Sequence, residues 1–385
     1  MKPSIHWLGT GLSSPPGIRR LAATTHPLIV WNRTPEKARL ALPDISDRIP
    51  IRKLSLENLA ACVHPGDVVV SMLPAGMHPS VVELCLDQRT HFVCSSYVAP
   101  AIATLDTEAK EKGLCLVNEV GLDPGLDHLM AHSLIHAYRK SPLFAPDKQH
   151  FFRSYCGGFP AEANAFRYKF SWSPLGVLKA LRSPAQWLAG GAIRTCQAPW
   201  EALSTYTAAF AKGRESFQAY PNRDSLPFMS YYGMTRDWDV QEFVRGTLRL
   251  PGWSEAWQPI FDAIVPLKGE DGARRLVEIS EALEEKYSYE DQEADRVVLC
   301  VELEVRQNGK PVWHQAYHLD SKGNPQGQAM ARLVSLPVSL AVEAVLNKEI
   351  PAGVTAAPSE PEQVTHWLDQ LERLGEACSL HDYLA

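Results

Sequence analysis

Apolar residues come in short, nearly unbroken runs through the first third of the chain. Residues 5–8, 28–31, 67–73, 91–94 and 113–117 each read as a strand of a parallel sheet covered on both faces, where alternation is not required. The intervals between them carry helical patterning, notably 36–42, 79–88 and 100–112. Thr34 stands as N-cap and Pro35 at the first position of the first of these helices, as helix starts favour. Strand and helix alternating in this way predict a doubly wound α/β domain over residues 1–122.

Beyond residue 122 the pattern changes. Residues 149–156 and 165–172 read as strands, and 176–285 is rich in helix formers, Trp and Pro. Residues 296–307 and 311–319 flank Asn308-Gly309, a dipeptide suited to a two-residue hairpin turn. A long apolar helix is expected from Gly327 to about Asn347. Arg332, Pro337 and Glu343 interrupt it, so it reads as core rather than membrane helix. An amphipathic helix is expected over 363–375, after a linker at 351–361. The fold class is therefore α/β: a Rossmann-like doubly wound parallel sheet domain (1–122), a mixed α/β substrate and dimerisation domain (123–175 and 288–349), and a helical insertion (176–287). The segment from about 350 to 385 is expected to pack back on the first domain.

Charge and cysteine content mainly exclude. The chain holds 38 Lys and Arg against 44 Asp and Glu, net −6, so it has no basic nucleic-acid footprint. No uninterrupted apolar run reaches the roughly 18 residues of a membrane span, and the N-terminal pattern is not that of a signal peptide. The eight cysteines are scattered without a C-x-x-C pair, which predicts reduced thiols in the cytoplasm rather than a zinc ribbon or a disulfide framework.

Candidate chemistry starts at Gly9-Thr10-Gly11, directly after the first strand. A dinucleotide fold needs the first glycine for a tight turn and the second for close backbone approach to a pyrophosphate. The third glycine of that fingerprint is missing: position 14 is Ser14, followed by Pro15-Pro16-Gly17. The second strand ends in Asn32-Arg33-Thr34. NAD sites usually place a carboxylate there, whereas an arginine can take a 2′-phosphate, so NADP is predicted over NAD. The lesser reading is that Arg33 is only a solvated surface charge. Ser71, Met72 and Leu73, and Ser95, Ser96 and Tyr97, fall at the carboxyl ends of later strands, the edge where open α/β sheets bind ligands.

The stretch from Asn118 to His128, with Glu119, Gly121, Leu122, Asp123, Pro124, Gly125 and Asp127, narrows the class. Together with Ser96-Tyr97-Val98-Ala99-Pro100 and Tyr155-Cys156-Gly157-Gly158-Phe159-Pro160-Ala161, it resembles the saccharopine dehydrogenase (glutamate-forming), or saccharopine reductase, family. Tyr168-Lys169-Phe170-Ser171-Trp172-Ser173, Ala219-Tyr220-Pro221-Asn222-Arg223-Asp224-Ser225 and Val244-Arg245-Gly246-Thr247-Leu248-Arg249 match as well, in family order. The missing third glycine, Ala99 and Phe159 depart from the pattern. The resemblance implies a homodimer that interconverts saccharopine with 2-aminoadipate 6-semialdehyde and glutamate by hydride transfer and imine hydrolysis. Related readings are a dehydrogenase for another carboxylated secondary amine, such as carboxynorspermidine, or a non-catalytic binding protein of this fold.

On this resemblance Leu12, Ser13, Leu122, Asp127 and Trp172 join Gly9, Gly11, Asn32, Arg33, Thr34, Ser71, Met72, Leu73 and Ser95 on the cofactor side. Asp127 is also read as serving the helix dipole. Asp123 is placed beside Ser96 and Tyr97 at the substrate amine; it can instead cap a helix starting near Pro124. A substrate with three carboxylates needs cations, and Arg pairs with carboxylates bidentately. Arg223 and Arg245 are the candidate clamps, with the Gly246 and Thr247 amides beside Arg245. Tyr97, Asp123 and Cys156 are candidates for proton transfer, and an inert buried thiol remains open for Cys156. His128, His132 and His136 share a helix face without an H-E-x-x-H pattern, and read as surface or interface residues rather than metal ligands.

Overall fold

The computed structural model describes residues 2–211 and 213–385. The chain opens with β1 (Ile5–Leu8), α1 (Pro15–Ala22), β2 (Leu28–Asn32), α2 (Pro35–Ala41), β3 (Ile51–Lys53), α3 (Leu56–Ala60), β4 (Val68–Ser71), α4 (His78–Gln88), β5 (His91–Val93), α5 (Pro100–Ala103), α6 (Asp106–Lys112) and β6 (Cys115–Val117). It continues through α7 (Leu126–Lys140), β7 (Gln149–Pro160), α8 (Pro174–Leu181), β8 (Ala185–Ala189), β9 (Ala192–Cys196), β10 (Ser204–Phe210), β11 (Gly213–Pro221), α9 (Pro227–Tyr231), β12 (Asp239–Arg249), α10 (Trp253–Ile264) and α11 (Gly269–Tyr287). The last elements are β13 (Asp295–Gln307), β14 (Lys310–Lys322), α12 (Ala329–Leu346), β15 (Gly353–Thr355), α13 (Pro361–Arg373) and β16 (Ser379–Asp382). Two compact units result: Met1–His128 with Ala331–Pro358, and Leu129–Met330 with Ser359–Ala385.

The first unit is a parallel sheet in the order β15-β6-β5-β4-β1-β2-β3. Strand order reverses between β1 and β4, the switch point at which such sheets bind ligands. Every residue of β1 and β4 is buried, which explains their unbroken apolar runs. α1 packs against α12 through Gly17: a Cβ there would lie 2.5 Å from the Ser335 carbonyl oxygen and 2.9 Å from the Trp7 ring. The close helix approach that the missing third glycine would give is thus supplied by Gly17. Its N–H donates to Ser335 Oγ at 2.9 Å, and Arg20 pairs with Glu343. α12 is long and apolar enough to cross a membrane by composition, but 83% of it is buried inside the protein, as a core helix is. The expected linker contributes β15, whose Val354 amide donates to Asp106 Oδ1 at 2.9 Å. That acceptor opens α6, so the single helix expected over 100–112 is two, broken at Thr104-Leu105.

The second unit is built on a mixed sheet in the order β10-β11-β12-β7-β13-β14-β16, with β8 pairing β12 and β9. β7 runs parallel to β12 and antiparallel to β13. The β13–β14 hairpin turns at Asn308 (φ 53°) and Gly309 (φ 76°), the left-handed pair such a turn requires. The segment 176–287 is not a helical insertion: it supplies β8 to β12 along with α8 to α11. Its Ala, Gln, Glu and Arg content favours helix locally, and pairing with distant strands overrides that preference. Residues 165–172 form no strand. Asn164 turns the chain by bonding both the N–H and the carbonyl of Tyr168, while Phe166, Tyr168 and Phe170 still bury on one core. Of the tail after residue 350, only β15 joins the first sheet. Ser359–Ala385 belongs to the second unit, where β16 pairs with β14.

Candidate functional site

Gly9 closes β1 with φ +92° and donates its N–H to the Trp31 carbonyl at 2.8 Å. A Cβ there would lie 3.1 Å from the Met72 carbonyl oxygen, so the first glycine does what its place in the motif implies. Gly11 is exposed, and nothing lies within 4 Å of the Cβ position, which leaves open space for a close backbone approach. α1 itself has little to offer an anion. Pro15 and Pro16 lack N–H groups, the Gly17 amide bonds Ser335, and the Ser14 amide bonds the Gly11 carbonyl at 3.0 Å. The amides of Gly11, Leu12 and Ser13 have no acceptor among the described residues, so a pyrophosphate would be held by the turn more than by the helix end.

The neighbouring strand end completes a dinucleotide edge. Asn32 donates to Thr10 Oγ1, tying β2 to the glycine turn. Arg33 is exposed, and the Thr34 side chain begins α2 without a capping bond. β3 places exposed Lys53 in register with Asn32, a second cation at this edge. The sequence reading missed it, since a lysine in a short edge strand carries no pattern of its own. These donors fit a dinucleotide carrying a 2′-phosphate. Ser71 ends β4, Met72 and Leu73 follow it, and Ser95 follows β5, at the same edge of the sheet. Leu122 is buried at 3% exposure, and Asp127 at 0% accepts the Gly125 amide at 2.7 Å. Both therefore shape the turn into α7, and the helix-start reading of Asp127 is the one its bonding supports.

Tyr97 OH donates to Asp123 Oδ1 at 3.2 Å. α7 begins at Leu126, and the Asp123 carboxylate faces Tyr97. The backbone that brings them together is crowded. A Cβ on Gly125 would fall 2.2 Å from the Gly121 carbonyl oxygen, and one on Gly121 would fall 2.8 Å from Ser95 Cβ. Glu119, buried and at φ +55°, staples the Tyr97 loop. Its amide donates to the Ser96 carbonyl at 3.0 Å, its Oε1 accepts the Val98 amide at 2.9 Å, and its Oε2 meets His128 Nε2 at 2.8 Å. Behind the loop, His78 lies between Ser71 Oγ (3.0 Å from Nδ1) and Ser96 Oγ (2.9 Å from Nε2). Burial pushes its pKa down to about 4, so the ring is neutral. Glu119 and His78 were not foreseen from the sequence.

In the second unit Arg223 sits at φ +56° in the exposed turn after β11. That turn is stapled to β12 at Arg245: the Asn222 amide donates to the Arg245 carbonyl at 2.9 Å, and the Arg245 amide to Ser225 Oγ at 3.0 Å. The two predicted arginines therefore share one piece of backbone. Arg245 is buried, its guanidinium 4.0 Å from the Phe228 ring centroid. Gly246 and Thr247 do not present free amides, because β12 is paired with β11 and β7 on its two sides. Gly246 serves packing instead, since a Cβ would lie 2.5 Å from the Tyr155 ring. Cys156 is half-buried, opposite Thr247 on β7. Trp172 lies in this second unit, 37% exposed and against Gly176. His132 is buried in edge contact with Tyr231 and Tyr232, and His128 is buried on Glu119; neither is a surface histidine. Glu302, Glu304 and His314 cluster closely enough to ligate a metal. Arg153 and Arg306 already answer the carboxylates of that group.

Comparison with known proteins agrees with this geometry. The saccharopine dehydrogenase NADP-binding domain model matches residues 5–117, and the saccharopine dehydrogenase C-terminal domain model matches residues 121–376. The chain is 30% identical to the NADP⁺, L-glutamate-forming saccharopine dehydrogenase of Pyricularia oryzae, over 92% of this chain and 93% of that protein. It is also similar to the solved apo saccharopine dehydrogenase (L-Glu forming) of Saccharomyces cerevisiae, with TM-score 0.79, 27% identity and 99% of each chain covered. A homospermidine synthase structure from Legionella pneumophila shares the fold, at TM-score 0.68 and 9% identity. The chain belongs to the saccharopine dehydrogenase family.

Proposed function

We propose that the chain is an NADP-dependent saccharopine dehydrogenase of the glutamate-forming type. The observation that carries this reading is the Tyr97–Asp123 pair, held beside Ser96 at the carboxyl edge of a parallel sheet whose glycine turn fits a dinucleotide. Bound NADP supplies the hydride acceptor. Asp123 takes the proton that the substrate ammonium loses before its neighbouring carbon is oxidised. Tyr97, donating to the same carboxylate, orients it and serves as the proton relay. Water then adds to the C=N bond, and proton return to nitrogen releases glutamate from the semialdehyde. Arg223 and Arg245 bind substrate carboxylates, with Arg245 pre-oriented by Phe228. Cys156, half-buried on β7, is assigned the part of a weak proton donor. A cytoplasmic homodimer completes the reading. The scattered cysteines, without a C-x-x-C pair, support a reducing compartment, and family resemblance supports the dimer, which light scattering tests.

Cofactor absorbance with saccharopine and either NADP or NAD tests the function. Reduction of NADP with stoichiometric glutamate is expected. No absorbance change with either cofactor would overturn the reading, as would turnover of a polyamine substrate alone. Replacing Arg223 by Ala should raise the saccharopine KM by about tenfold, with NADPH affinity unchanged, since one charged hydrogen-bonding group is lost.

A further inference from the structure

We propose that His78 is a positioning residue that couples the cofactor edge of the site to its substrate edge through a Ser71–His78–Ser96 hydrogen-bond relay. The proposal rests on the saccharopine dehydrogenase reading, in which Ser71 stands at the NADP edge of the sheet and Ser96 at the substrate edge.

The relay follows from how the chain leaves the sheet. β4 ends at buried Ser71, and a tight turn over Ala75–Met77 returns the chain so that α4 begins at His78. β5 lies parallel beside β4, pairing Val70 with Val93, and brings Ser96 up on the neighbouring strand end. The imidazole is 2% exposed and has one ring nitrogen on each hydroxyl, at 3.0 and 2.9 Å. The Phe92 ring packs edge-on against it at 5.9 Å. A neutral imidazole has one N–H and one lone pair. One serine therefore receives a proton from His78 while the other gives its own. The receiving hydroxyl keeps its O–H for a ligand, and the giving one keeps only lone pairs. Whichever role a ligand imposes on one serine sets the tautomer, and the tautomer sets the role of the other. His78 thereby fixes donor and acceptor at two places with one proton, while touching neither ligand.

Amide side chains separate the two ends. Asn reaches about as far as Nδ1 and can keep the bond to Ser71, while Gln reaches about as far as Nε2 and can keep the bond to Ser96. His78→Asn should raise the saccharopine KM by about tenfold and leave the NADPH dissociation constant within about twofold; His78→Gln should do the reverse. NADPH affinity is read by fluorescence titration without substrate, and folding by circular dichroism. Ser71→Ala and Ser96→Ala provide a second route. In double-mutant cycles, H78N/S96A and H78Q/S71A should be no worse than their single variants. Parallel changes in both constants for H78N and H78Q, or full additivity in both cycles, would overturn the relay. If the unaltered enzyme does not turn over saccharopine, the functional reading fails. The NADPH titration still decides the relay in that case: equal NADPH affinity for H78N and H78Q would sink it.

Discussion

A phenol 3.2 Å from a carboxylate oxygen gives Tyr97 and Asp123 a joint role that single substitutions can separate from binding. Asp123→Asn keeps size and shape but removes the proton acceptor. It should lower kcat by about a hundredfold while NADPH affinity stays put. A matching loss of NADPH binding would assign Asp123 to the cofactor instead. The buried histidines make a second residue-scale prediction. Burial holds His78 and His318 at about 4, against 6.5 for an ordinary imidazole. Between those values the unfolded chain binds more protons than the folded one, so stability is full above pH 6.5 and is lost as pH falls toward 4. Urea midpoints across that window should fall, and H78N should show a smaller fall than the unaltered protein. Legibility at this scale followed motif membership. Gly9, Arg33, Asp123 and Arg223 sit in strand-end or turn patterns that can be read one segment at a time. His78 and Glu119 owe their roles to partners on other elements: Ser71 and Ser96 for one, Val98 and His128 for the other. No local spacing announces that.

At the scale of elements, the parallel sheet was the most readable part, because strands covered on both faces leave unbroken apolar runs. The Asn308-Gly309 hairpin was readable for an equally local reason. The strands β8 to β12 were not. Even Gly190 and Gly191, at φ +61° and +69°, form the β8–β9 hairpin turn inside a stretch whose composition favours helix. The α1–α12 contact was equally hidden, since its partners lie far apart in the chain. It can be tested at Gly17. Gly17→Ala places a methyl 2.5 Å from the Ser335 carbonyl, a clash that overpacking data put at about 1–3 kcal/mol. Gly11→Ala meets open space and should leave stability nearly unchanged while weakening NADPH binding. Denaturant midpoints and NADPH titrations on the two variants should therefore move in opposite patterns. A destabilised G11A beside a native-like G17A would contradict the packing described here.

For the whole molecule, the main consequence is that the cofactor unit is discontinuous. Residues 2–128 provide β1 to β6, but the sheet is finished by β15, and α1 is covered by α12, both of which arrive only after the second unit has been threaded. Gly17, Arg20 and Asp106 all have their partners in that returning segment, at Ser335, Glu343 and Val354. A fragment stopping at His128 would leave the α12 footprint on α1 bare, including the Gly17 amide and the Arg20 guanidinium. Exposed apolar surface and lost buried partners both act against folding. That fragment should be unfolded or aggregated by circular dichroism. Joining residues 2–128 to 331–358 through a flexible linker should restore a cooperative thermal transition. NADPH should raise that transition, because a ligand binding only the folded state adds about 2.7 kcal/mol at a hundredfold excess over its dissociation constant. A fragment 2–128 that folds and binds NADPH unaided would show that α12 and β15 are dispensable to the cofactor unit. A folded joined fragment blind to NADPH would show that the glycine turn and Arg33 cannot hold the dinucleotide by themselves.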